Sequence, residues 1–324
     1  MRLVSFLGPN DQNLQVGVLV PLGGAVGTHT HVVNLSAAFA ADGGAPLHRG
    51  MRQLLEEADS GGSLDRAGVA VASGRWRVAI DAISLRAPLY DPEKIICVGM
   101  NYYDHCTEQN FPIPKEPVIF SKFASSIVAN GEPLPLDEEL TQELDFEVEL
   151  AIVIGRTGRR IPKERALEHI AGWTVAHDVS ARDWQMKKNG GQWLLGKTID
   201  GFAPIGPSIV TRDEGAAFAD AGALGVRTTL NGETVQQSNT RELIFKPADI
   251  VEFVSRFVTL KPGDLIFSGT PGGVGVFRKP PMFLKGGDEV VVHIDGLGSL
   301  TNKVAVVPSS AASAGGPQAK RAKL

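Results

Sequence analysis

A chain of 324 residues, 43% hydrophobic and 21% charged, has the composition of a globular protein long enough to bury a sizeable core. Its 32 basic and 36 acidic residues leave a formal charge of -4, which argues against nucleic acid or an anionic membrane as partner. The two cysteines, Cys97 and Cys106, form neither a metal-thiolate spacing nor a disulfide framework, and no apolar run has the length of a membrane span.

Residues 1–88 are expected to form a small N-terminal α/β domain. Met1-Arg2-Leu3-Val4-Ser5-Phe6 goes straight into strand-like residues, without the look of a secretory signal or an Arg/Ser-rich transit peptide. Gln15–Val20 reads as a strand, a Gly-rich stretch ends near Thr28, and helical patches fall at Leu35–Ala41, Met51–Ala58 and Val69–Ala72. His29 and His31 have no acidic or thiol partner nearby in sequence and are expected in a solvated loop.

Asp91-Pro92 marks a boundary, after which residues 89–307 are expected to form the main domain. Lys94–Met100 is a buried strand. His105 and Glu108 follow at a spacing that makes them neighbours on a helical turn. A carboxylate that orients an imidazole gives a general base, although the same spacing also occurs at a capped, solvated helix start. Phe111-Pro112-Ile113-Pro114-Lys115 is a Pro-rich linker suited to a hinge, and Pro117–Lys122 is a further strand.

The most informative stretch is Asp145-Phe146-Glu147-Val148-Glu149-Leu150-Ala151-Ile152-Val153-Ile154-Gly155. In an extended strand Glu147 and Glu149 share a face, with Asp145 in line. Such a pair can mark the wet face of a sheet, but this one abuts a continuous apolar run, where carboxylates are costly without a positive partner. Trp173–Asp178 is a strand that delivers Asp178 to its end, with no basic residue immediately beside it in sequence. Three carboxylates without a Cys or His cluster select a hard divalent cation, Mg²⁺ first, with Ca²⁺ or Mn²⁺ as alternatives.

Beyond it, Lys163–Ile170 reads as a short helix, and Ser180–Lys188 as a helix with Arg182 and Gln185 on one side. Trp193–Pro207 is a Gly/Pro-punctuated loop whose Lys197 lies among apolar residues and could face a carboxylate ligand. Val226–Gln237 is a hairpin through Asn231-Gly232, and Pro247–Phe257 is an amphipathic helix. Ser268–Gly275 is a Gly-rich loop that can offer backbone N–H groups to an anion or make a plain tight turn. It lacks the Gly-Lys-Ser/Thr ending of a nucleotide P-loop. The turn Leu260-Lys261-Pro262-Gly263-Asp264 is echoed at Leu284-Lys285-Gly286-Gly287-Asp288, before a late strand at Glu289–Ile294. Residues 308–324 have the composition of a disordered tail.

Five motifs in order, Gly99–His105, Asp145–Leu150, His177–Asp183, Gly196–Thr198 and Ser268–Gly275, resemble the fumarylacetoacetate hydrolase family. The resemblance is closest to the animal branch associated with oxaloacetate keto–enol tautomerisation, through Trp184-Gln185-Met186, Gln192–Leu195 and Val276–Pro281. It implies an α+β, β-rich fold with a mixed-sheet roll, commonly a homodimer. It also implies that Glu147, Glu149 and Asp178 bind Mg²⁺ and that His105 and Glu108 form a dyad on a lid. Lys197, Arg182 and Gln185 would meet the oxygens of a 2-oxo acid, and Thr270 a carboxylate. His177 stands where the family more often has Asn.

The implied activity is oxaloacetate tautomerisation through a metal-stabilised enolate. C–C hydrolysis of an acylpyruvate or decarboxylation of oxaloacetate could use the same enolate, and a non-catalytic metal-dependent binder of 2-oxo acids is the reading from another class. The resembling animal proteins are mitochondrial, whereas the ending Ala322-Lys323-Leu324 resembles a peroxisomal address.

Overall fold

The computed structural model describes residues 1–9, 11–21, 29–43 and 47–308. The Gly-rich stretch before Thr28 falls largely outside them, as do residues 309–324 of the tail, including its last three residues. Among the described residues no helix is long and apolar enough to cross a membrane.

The fold is strand-rich α+β. Its larger sheet has twelve described strands; the continuous path runs Arg77–Ala79, His29–Asn34, Gln15–Pro21, Arg2–Leu7, Ala203–Thr211, Ile170–His177, Val148–Ile154, Leu265–Phe267, Ile95–Gly99 and Val118–Lys122. Neighbours are antiparallel except Leu265–Phe267 with Ile95–Gly99. A five-stranded sheet of Glu233–Asn239, Gly225–Leu230, Glu289–Ile294, Gly298–Val306 and Leu134–Leu136 packs over it. Arg2–Leu7 pairs with Ala203–Thr211, so the N-terminal strands join the same sheet as the residues beyond position 88.

The central strand is buried on both faces, which is why its sequence reads as one apolar run. Val148, Leu150, Ile152 and Ile154 enter the core beneath the five-stranded sheet. Ala151 and Val153 enter the opposite core, under Phe39, Leu54 and Leu55 of the N-terminal helices. Glu149 has the parity of this second layer, and so does Asp178 relative to Ala176. The site is therefore the polar continuation of that core beyond the strand ends.

Several local expectations change. His29 and His31 lie on the His29–Asn34 strand, partly buried, because His31 pairs with both Val20 and Ala79. The segment expected as a helix over 180–188 begins as a short strand, Ser180–Ala181, paired with Leu144–Asp145, and then makes a π-helical turn at Asp183–Lys187. The loop expected over 193–207 holds the short helix Leu194–Lys197 and the start of the strand Ala203–Thr211. The two echoed turns share one geometry. In each the Asp carboxylate accepts from the Lys N–H at 2.8 Å, across a Gly at φ 87° (Gly263) or 92° (Gly287).

Candidate active site

The three carboxylates meet. Glu147, Glu149 and Asp178 are all buried, with one oxygen of each within 4.8 Å of the others. Pairing of Val148 with His177 and of Glu149 with Ala176 sets the register, and the Asp178 N–H closes it on the Glu147 carbonyl at 2.9 Å. Asp145 stands apart. Its carboxylate accepts from Arg182 Nε (2.8 Å) and from the N–H groups of Gly275 (2.8 Å) and Val276 (3.0 Å), so it anchors a loop and a guanidinium.

Three cations are packed among these acids. Lys197 Nζ donates to Glu147 Oε2 at 3.0 Å, Asp178 Oδ2 at 2.8 Å and Ser180 Oγ at 2.6 Å, which uses all three of its protons. Arg182 donates to Asp145, to Glu147 (2.6 Å) and to Gln185 Oε1 (2.8 Å), leaving two N–H groups over. Lys122, which the sequence reading passed over, lies 2.7 Å from Asp178 Oδ1 with its side chain fully buried. The Asp178 that had no basic neighbour in sequence thus has two in space. A lysine ending an ordinary strand carries no local mark of this role.

The charges do not balance. Asp145, Glu147, Glu149 and Asp178 set four buried carboxylates against Lys122, Arg182 and Lys197. Burial alone would raise the Glu147 carboxyl, but Lys197 and Arg182 outweigh it and hold it at about 2. Glu149 carries the strain: burial, with Asp178 and Glu147 beside it, pushes its carboxyl well above the usual range. Burial works against the charge on Lys197, yet Asp178 and Glu147 keep its pKa raised. His177 is driven down to about 3 by burial, so it is neutral at physiological pH.

This donor set fits a hard divalent cation. All three candidate ligands are carboxylate oxygens, and Asp178 Oδ1 is buried with no hydrogen-bond donor aligned on it among the described residues. One surplus negative charge would become one surplus positive charge, a suitable field for an anionic ligand.

The Gly-rich loop does bind anions, but they are the protein's own carboxylates. The Gly269 N–H donates to Glu149 at 2.6 Å, Gly272 to Asp104 at 3.3 Å, Gly273 to both oxygens of Glu108 at 3.1 Å, and Gly275 to Asp145. Gly269 (φ 104°) could not carry a side chain, since a Cβ would lie 2.8 Å from that of Asn101. Thr270 Oγ1 accepts from Gln236 Nε2 at 2.9 Å, which leaves its hydroxyl proton to donate. Gln236, also absent from the sequence reading, ties this loop to the central strand through the Val148 N–H at 3.0 Å.

His105 and Glu108 sit on the helix Tyr103–Glu108, docked against the loop. His105 Nδ1 lies 3.4 Å from Glu108 Oε2, near enough for attraction but not aligned as a hydrogen bond. With the Gln109 amide donating to Nε2 at 2.8 Å, the ring proton is assigned to Nδ1, toward Glu108. Burial raises the Glu108 carboxyl, but His105 and the Gly273 N–H outweigh it and bring it below its ordinary value.

A cavity of about 310 Å³ joins these groups. Glu147, Glu149, Arg182, Gln185, Lys197, Thr270 and His105 line one part, and Phe111, Phe120, Trp193 and Phe277 form an apolar wall. Asp178 and Glu108 do not line the cavity.

Fold and site together define a strand-rich protein whose cavity suits a hard cation and a small anionic ligand. The chain belongs to the fumarylacetoacetate hydrolase family: residues 94–305 match the family described as "Fumarylacetoacetate (FAA) hydrolase C-terminal". It is similar to the Xenopus laevis protein named "Oxaloacetate tautomerase fahd2, mitochondrial", at 50% identity over 304 residues, covering 94% of this chain and 90% of that one. The structure of a fumarylacetoacetate hydrolase from psychrophilic Exiguobacterium antarcticum superposes with a TM-score of 0.76 at 36% identity, over 95% of this chain and 100% of that one. Maleylpyruvate hydrolase from Sphingobium sp. SYK-6, in complex with manganese (II) ion and pyruvate, matches with a TM-score of 0.73 at 27% identity, over 94% and 99%.

Proposed function

We propose that this protein is a metal-dependent oxaloacetate tautomerase. The observation that carries the reading is the convergence of Glu147, Glu149 and Asp178, of which Glu147 and Glu149 open on one cavity with a histidine and several free donors. The Xenopus relative's name supplies the particular substrate. Mg²⁺ held by the three carboxylates would supply Lewis-acid charge that favours an enolate. The donors with capacity left for a substrate carboxylate or keto oxygen are Arg182, the Gln185 amide and the Thr270 hydroxyl. Lys197 acts more through the carboxylates it binds than by reaching the substrate itself. Once the Gln109 amide yields it, His105 Nε2 takes the proton from the enol oxygen and gives it to C3, so that C3–H forms as O–H breaks, and Glu108 holds the ring. The apolar wall keeps water from competing for that proton.

Purified protein with Mg²⁺ is expected to accelerate loss of the enol absorbance of fresh enol-oxaloacetate without forming pyruvate. Pyruvate release at the same rate would replace tautomerisation by decarboxylation. An acylpyruvate cleaved faster than enol-oxaloacetate is ketonised would point to the hydrolase reading, and tight binding without turnover to a non-catalytic binder.

We also infer a homodimer. The sheet ends in the strand Val118–Lys122, which exposes Val118 and Ile119 on an edge left unpaired among the described residues, with Phe123 and Leu195 also exposed. Ile119→Asp is expected to shift sedimentation from dimer to monomer; a dimer unchanged by it would remove this face as the interface. The mitochondrion is the compartment we propose, from the name of the Xenopus relative. Ala322-Lys323-Leu324 lies outside the described residues, and nothing further supports a peroxisomal address.

A further inference from the structure

Lys122 has a bonding pattern that separates its charge from its protons. Its Nζ donates to three main-chain carbonyls, Lys197 O at 2.6 Å, Phe202 O at 2.8 Å and Val179 O at 3.0 Å. An ammonium has three protons, and these carbonyls take all of them. The Asp178 Oδ1 atom, only 2.7 Å away, therefore feels the charge with no N–H aligned on it, and among the described residues it has no other donor. Asp178 Oδ2 is the oxygen that Lys197 holds. The carboxylate is fixed through one oxygen and kept open at the other.

The three carbonyls belong to segments that must meet for the site to exist. Val179 follows Asp178 directly, Lys197 ends its short helix, and Phe202 closes the turn after it. One buried cation thus fixes the main chain on both sides of the lysine that bridges Glu147 and Asp178. We propose that Lys122 is a positioning residue that presets Asp178 for a divalent cation and Lys197 for the carboxylates, without touching cation or substrate. This rests on the reading that the three carboxylates take a divalent cation.

The test uses the full chain, Mn²⁺ as the probe, and the variants Lys122→Met and Lys122→Gln, with near-UV circular dichroism to verify folding. Losing a residue that orients a metal ligand costs roughly 10–100-fold in metal affinity or activity. Mn²⁺ affinity, measured by electron paramagnetic resonance well below the unfolding temperature, is expected to fall by that factor in each folded variant. The kcat for enol-oxaloacetate should fall with it, while KM changes much less. A merely structural lysine would lower the unfolding temperature and leave Mn²⁺ affinity alone. A folded variant with wild-type Mn²⁺ affinity overturns the proposal, and so does failure of both variants to fold, which would make Lys122 an anchor of the fold. If the wild-type chain binds no Mn²⁺, the proposed function fails instead.

Discussion

Glu149→Gln is expected to abolish metal-dependent turnover while leaving the metal-free protein at least as stable as the wild type. Loss of one of three charged ligands should lower ketonisation by about a thousandfold, roughly 4 kcal/mol of barrier. Stability moves the other way for a reason visible in the site. Glu149 is crowded by Asp178 and Glu147 in a buried pocket, and its carboxyl is raised well above the ordinary value. An unfolded chain releases that proton near the ordinary value of about 4.5, whereas the folded chain retains it to higher pH. Between the two the folded state binds more protons, so stability falls as pH rises through the interval. A neutral amide removes this penalty, and its oxygen can still accept from the Gly269 N–H. Thermal unfolding in chelator should thus show the variant gaining on the wild type as pH rises above about 4.5. For the same reason wild-type metal affinity should rise with pH, because the cation displaces a proton. A variant that is strongly destabilised in chelator, or that keeps its activity, would contradict this account of the site.

Arg182→Met should instead cost stability outright. Arg182 bonds to Asp145, Glu147 and Gln185 with almost no exposure, so its removal leaves buried Asp145 without a cation and buried Glu147 with Lys197 alone. Breaking a buried pair from one side costs about 3–5 kcal/mol, which a urea titration resolves easily. Asp145 would keep only the neutral Gly275 and Val276 N–H groups, while Glu147 would keep Lys197 but lose part of what holds its carboxyl low. Its depressed carboxyl contributes stability that is full above about 4.5 and is lost as pH falls toward about 2. That acid-side loss should shrink in the variant. A cost below about 1 kcal/mol, the level of an exposed pair, would mean that the guanidinium is not buried as described. Together the two substitutions separate a carboxylate that destabilises the metal-free fold from a cation that holds it together.

The parts of this site that could be read from sequence are those written in short-range periodicity. Alternation puts Glu147 and Glu149 on one face whatever the sheet around them, and a three-residue offset brings His105 to Glu108 on any helical turn. The Asn231-Gly232 hairpin and the two Lys-x-Gly-Asp turns are equally local. What could not be read depends on distant partners. Lys122 meets carbonyls 57, 75 and 80 positions away, and Asp145 meets loop amides 130 and 131 positions on. The Gly-rich loop shows the limit from another side. Its free amides suggested an anion site, but whether the anion is a ligand or the protein's own Glu149, Asp104, Glu108 and Asp145 depends on the tertiary fold. The π-helical turn after Arg182 likewise replaces a helix that the local pattern favoured, since pairing of Ser180–Ala181 with Leu144–Asp145 takes the first residues into a strand.

Turnover is expected to depend on a divalent cation held by Glu147, Glu149 and Asp178. The most direct measurement is enol-oxaloacetate ketonisation by the wild-type chain, first stripped with chelator and then titrated with Mg²⁺. The rate is expected to fall to the uncatalysed background and to return in full with the added cation. A stripped enzyme that ketonises at its original rate would contradict this dependence.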